Sequence, residues 1–162
     1  MTARRLTENA LLTAVALILF TVEAQIPAPI PIPGVKLGLA NIVTVWAVCL
    51  LGPYDALCIL LCRIFLGAVF AGNMSVLLYS LSGGLFSLCV LLLLRRVTTR
   101  NQLWICAVFA AIAHNAGQIA AAVLILQSRA VVAYFPILAL SGAAAGLFTG
   151  LCAQFLAARR LS

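Results

Sequence analysis

Charge is what this chain lacks. Only 8% of its 162 residues are charged, and just three are acids: Glu8, Glu23 and Asp55. A soluble domain carries roughly a quarter charged residues. Three acids argue against an acid–base enzyme, which needs positioned carboxylates or comparable groups. There is no pair of Asp-rich motifs for a prenyl diphosphate and magnesium, no phosphate loop and no Ser/His/Asp arrangement. The single histidine, His114, makes a poor metal site without carboxylates. None of the six cysteines (49, 58, 62, 89, 106, 152) sits in a CxxC. Cys58 and Cys62 share a helical face without a His or carboxylate near them, so all six read as small apolar packing residues, with no disulfide implied.

What is present is apolar. Hydrophobic residues make up 65% and the mean hydropathy is +1.22. So little polar residue cannot cover a soluble surface, and the class is polytopic membrane protein. A membrane barrel would alternate apolar and polar positions. Runs such as Cys89-Val-Leu-Leu-Leu-Leu94 and Ala120-Ala-Ala-Val-Leu-Ile-Leu126 are apolar throughout, which predicts helical spans. Each span needs ~20 residues, so six would use ~120 and leave no soluble domain.

The pattern predicts an all-α, six-transmembrane-helix bundle forming one membrane domain over 1–162. The spans are placed at 6–24, 36–51, 54–71, 74–94, 102–127 and 132–158. Arg4-Arg5 before an apolar run could mimic a signal peptide, but Glu23 and prolines follow it, not a small-residue cleavage site. Residues 25–35 form an extracellular proline-rich loop. Prolines 27, 29, 31 and 33 remove four backbone donors, so this segment is extended. Gly52-Pro53 and Gly72-Asn73 are breaks.

Orientation follows from the basic residues. With both termini in the cytoplasm, Arg4, Arg5, Arg95, Arg96, Arg100, Arg159 and Arg160 lie inside, and only Lys36 and Arg129 outside. The net charge of +7 is then topology, not a nucleic-acid surface. Tyr54 and Trp104 sit at the inner interface and Tyr134 at the outer one.

Polar residues at membrane depth are costly and are functional candidates by default. Arg63 falls in the middle of the third span. It reads either as a ligand for an anionic substrate group or as a clamp to a carboxylate or helix-end carbonyls. His114 and Gln118 are four apart and share a helical face, with Asn115 beside them. They read as a ligand site, or as interhelical hydrogen bonds of ~0.6 kcal/mol each. The fourth span carries Ser75, Tyr79 and Ser82 with Gly83-Gly84; Tyr79 could stack on or bond to a ring, whereas the glycines suit packing. Lys36 and Asn41 begin a polar stripe on the second span, where Lys36 could simply snorkel. Ala10 and Ala14 (A-x-x-x-A), and Gly142, Gly146 and Gly150 (G-x-x-x-G-x-x-x-G), let helices approach closely. Each pattern serves contacts inside the bundle or with another subunit.

Glu23-Ala-Gln-Ile-Pro and the following prolines, then Pro33-Gly-Val-Lys-Leu-Gly-Leu-Ala-Asn-Ile42, resemble the signature of a bacterial membrane family. That family is labelled heptaprenyl diphosphate synthase component I, and also the Gx transporter family. Arg63-Ile-Phe-Leu-Gly67, Leu78-Tyr-Ser-Leu-Ser-Gly-Gly84 and His114-Asn-Ala-Gly-Gln118 match as well, so the resemblance covers nearly the whole chain. The family is similar in architecture to S-components of energy-coupling-factor (ECF) transporters. The resemblance implies a multi-pass protein of the bacterial cytoplasmic membrane that binds a small vitamin- or isoprenoid/quinone-precursor-like molecule and imports it with a partner ATPase complex. It implies a substrate site of Lys36, Asn41, Arg63, Tyr79, His114, Asn115 and Gln118, with Glu23 and Gln25 in a loop gate. Ala10 and Ala14 would dock a coupling subunit. Two alternatives attach to the same family. One is a membrane subunit of a flavin- or quinone-linked electron-transfer system, with a flavin or quinone precursor bound. The other is a non-catalytic accessory subunit beside the catalytic chain of a prenyl diphosphate synthase. No intrinsic cofactor, metal or nucleic-acid partner is expected.

Overall fold

A computed structural model describes residues 3–25, 38–72, 74–99 and 102–161. Among them every regular element is helical. The order is α1 (Ala3–Gln25), α2 (Asn41–Leu50), α3 (Pro53–Ala71), α4 (Met74–Leu94), α5 (Leu103–Leu126) and α6 (Phe135–Leu161). A 3-10 segment, Arg129–Tyr134, leads into α6. Among the described residues, five segments are long and apolar enough to cross a membrane: 3–23, 53–71, 77–94, 103–126 and 129–159. The chain is thus a multi-pass helical membrane protein.

The breaks in the sequence act as written. Gly52 takes φ +115°, a conformation open to glycine, and Pro53 follows in the first turn of α3. Gly72 ends α3 in the left-handed conformation at φ +62°. The second helix differs from the expected 36–51. It starts only at Asn41, after a turn in which Gly38 has φ +71° and the Asn41 N–H donates to the Gly38 carbonyl at 2.8 Å. Ten residues rise ~15 Å, about half the ~30 Å hydrocarbon core. The expected sixth span begins as 3-10 turns, so α6 proper starts at Phe135, not at 132. The proline-rich segment and Lys36 lie outside the described residues.

Despite its length α2 is the hub, touching all five other α-helices. Val43, Val45, Ala47 and Val48 are buried in the core beside Ile59, Leu60 and Ala107. Around it α1 packs on α3, α3 on α4, α4 on α5, and α5 on α6. Large apolar side chains point outward instead: Phe70 is 74% exposed and Leu140 75%. That inversion suits lipid, where close contact comes from small residues. The α6 glycines supply it inside the bundle. A Cβ on Gly146 would meet the Ala107 carbonyl oxygen at 2.7 Å, and one on Gly150 the Trp104 Cα at 2.6 Å. Gly117 and Gly83 make the same approach between α5 and α4, where the Ser82 hydroxyl donates to the Gly117 carbonyl at 2.6 Å.

At one end of the bundle, the Asn9 amide of α1 donates to the Asp55 carboxylate of α3 at 2.7 Å, and Arg5 stands 3.9 Å from the same group. Arg95 at the end of α4 reaches the Cys49 carbonyl of α2 at 3.5 Å. Among the described basic residues, Arg4, Arg5, Arg95, Arg96 and Arg159 collect at this end, and Arg129 lies at the other. Cys58, Cys62 and Cys89 face outward and only Cys106 is fully buried, so the cysteines are not uniformly core residues.

Candidate functional site

All six helices contribute to one cavity. From α1 come Phe20 and Glu23, from the turn into α2 Gly38, Ala40 and Asn41, from α3 Arg63, and from α4 Ser80. The α5 wall is Ala111, His114, Asn115 and Gln118. The α6 wall is Gly142, Ala145, Gly146 and Thr149. Both walls repeat at i, i+3, i+4 and i+7, the spacing of one helical face. The glycines of α6 bring its wall against α5. The cavity volume is about 50 Å³, small beside the ~300–1,000 Å³ of ligand pockets.

Arg63 is 5% exposed. Its Nε and Nη2 are buried with no hydrogen-bond partner among the described residues. The ion pairs within 4.0 Å among those residues are Arg4–Glu8 and Arg5–Asp55. The carboxylate clamp that the sequence left open for Arg63 is therefore not formed there. Glu23 shares the cavity wall with Arg63. Its oxygens are already engaged. One accepts the Gly38 N–H at 2.5 Å and the other the Leu39 N–H at 3.1 Å. Glu23 thereby fastens the end of α1 to the start of α2.

Asn115 is shared between two roles. Its amide nitrogen donates to the Leu138 carbonyl of α6 at 2.5 Å, an interhelical bond, while the residue also lines the cavity.

The structure thus brings together Asn41, Arg63, His114, Asn115, Gln118 and Glu23. It does not bring Tyr79 to them. Tyr79 is half-buried, and its neighbour Ser80 lines the wall, because adjacent helical residues point about 100° apart. Gln25 ends α1 and is exposed. Ala10 and Ala14 are exposed on the outer face of α1, away from the cavity. Sequence reasoning missed Phe20, Ser80 and Thr149. Thr149 carried a readable signal, standing three and seven residues from Gly146 and Gly142. Phe20 carried none.

No curated protein and no solved structure matches the chain. Residues 12–156 match the family model described as heptaprenyl diphosphate synthase component I, and the chain belongs to that family.

Proposed function

We propose that the chain is a membrane-embedded substrate-binding subunit. In this reading it resembles an ECF S-component of a bacterial cytoplasmic membrane, with six membrane-embedded helices, α2 reaching only partway, and both termini in the cytoplasm. It binds a small vitamin- or isoprenoid/quinone-precursor-like molecule and imports it with a partner ATPase complex. The supporting observation is the convergence of Asn41, Arg63, His114 and Gln118 on one cavity from three helices. Buried polar groups gathered at membrane depth suit a ligand better than packing. The basic end of the bundle suits a cytoplasmic face. The chain acts by binding and not by catalysis. Loading requires the cavity to widen, and the contact of Glu23 with Gly38 and Leu39 lies at its wall.

A second reading is favoured by the family description. The chain would be an accessory subunit of a prenyl diphosphate synthase, with catalysis in a soluble partner.

The test is purification from native membranes in gentle detergent, with mass spectrometry of the copurifying proteins. Two ATPases and a coupling subunit support the transport reading. An Asp-rich prenyl synthase chain or a flavoprotein, without ATPases, overturns it.

A further inference from the structure

The two orphaned atoms of Arg63 have a specific geometry. In a guanidinium, Nε–H and one N–H of Nη2 point the same way. Together they form the side-on fork that grips two oxygens of one anion. These are the atoms buried without a partner among the described residues. The fork belongs to a side chain 95% buried, lining the cavity beside His114 and Gln118. Glu23 shares the cavity wall but makes no ion pair with Arg63 within 4.0 Å, so the fork itself is left without an acceptor.

A buried positive charge in lipid demands an opposite charge or a wet cavity. Two unpartnered donors need acceptors, and a cation, an apolar ring or an isoprenoid tail would leave the fork unsatisfied. We infer that the ligand carries a two-oxygen anionic group, a carboxylate or a phosphate, seated on the Nε–Nη2 edge of Arg63. This rests on the reading of the cavity as the ligand site, and adds the chemical class. A lysine would supply the charge but not the paired donors. Glu23 sets the other limit: a second anionic group on the ligand would approach a carboxylate already in the wall, so one anionic group is accommodated.

The test uses the full chain in lipid nanodiscs, with thermal melts in sodium benzoate, phenyl phosphate or neutral benzamide at ~10 mM and matched ionic strength. Benzoate or phenyl phosphate is expected to raise Tm by about 2–4 °C. The anion that does so identifies the source as carboxylate or phosphate. Benzamide leaves Tm unchanged. Arg63→Gln abolishes the rise, and Arg63→Lys loses most of it. Should Arg63→Gln fail to fold, Arg63→Lys carries the comparison. Equal stabilisation by benzamide, a rise that survives undiminished in Arg63→Lys, or no rise with either anion would overturn the assignment. Those results leave the binding-subunit reading to its own test, because the copurifying partners do not depend on the ligand's charge.

Discussion

Glu23, in the last turn of α1, accepts the backbone N–H of Gly38 at 2.5 Å across fifteen residues of sequence. Its second oxygen takes the N–H of Leu39 at 3.1 Å. A short hub helix with no side-chain cap of its own is thus held by a carboxylate from another helix. The same side chain stands in the cavity wall with Arg63. One residue therefore links the position of α2 to the charge balance of the site.

Replacing Glu23 by Ala leaves two buried-side donors without acceptor. Hydrogen bonds to a charged group contribute about 1.5–3 kcal/mol. We expect Glu23→Ala to lower stability by about 2 kcal/mol, and Glu23→Gln by less, because the amide oxygen still accepts one bond. Thermal melts in detergent check the order. Equal losses for Ala and Gln would mean that the carboxylate's charge, not its acceptors, holds the turn.

The opposite end of α1 is fixed by Asn9 and Asp55, both 6% exposed. Asn9 is the neutral partner and Arg5 the charged one, yet Asn9 is expected to contribute more. Arg5 stands at 3.9 Å with its side chain 61% exposed, so solvent screens it. Asn9→Ala strands a buried carboxylate oxygen and should cost about 2 kcal/mol. Arg5→Ala should cost less than ~1 kcal/mol. A double-mutant cycle on the two residues measures their shared dependence on Asp55; a larger effect at Arg5 would show that the charge pair dominates.

Much of this was legible in the residues themselves. Gly52-Pro53 and Gly72 marked the ends of α3 because each glycine opens a positive φ that L-residues rarely adopt, and Pro53 suits the first turn of a helix. Arg63, His114, Asn115 and Gln118 stood out as polar groups in apolar runs. The start of α2 was not legible. Leu37 to Leu39 is as apolar as the helix that follows, and hydropathy does not register that Gly38 turns at φ +71° to meet Glu23. Nor was Tyr79 separable from Ser80, since helical phase depends on how α4 is rotated against α5. That rotation is set by Gly83 and Gly117, whose backbones touch.

The α6 glycines set the width of the cavity as well as the α5–α6 contact. Gly146→Val would drive its side chain into the Ala107 carbonyl and the Val108 backbone, both within 2.8 Å of a Cβ. Backbone atoms cannot yield as a side chain does. The expected result is a loss of at least ~2 kcal/mol, read as a lowered Tm and an aggregated fraction on size exclusion. Ala144→Val, on the exposed face of the same helix, should change stability by no more than ~0.5 kcal/mol. Matching effects at the two positions would mean that the glycines are not the contact that holds α6.

Ala10 and Ala14 pose the sharpest question about partners. Residues Asn9, Thr13 and Ala16 turn inward on α1, which leaves Ala10 and Ala14 on the outer face with Leu11 and Val15. Both are exposed, so their small size is open for another protein to use. Under the proposed function, Ala10→Leu with Ala14→Leu leaves the Tm of the isolated chain within a few degrees. The same pair removes the coupling subunit from the purified assembly, because a helix can no longer approach closely. Retention of the coupling subunit by the double variant would move the docking surface elsewhere. A collapsed Tm would instead place the A-x-x-x-A face in the folding of the chain itself.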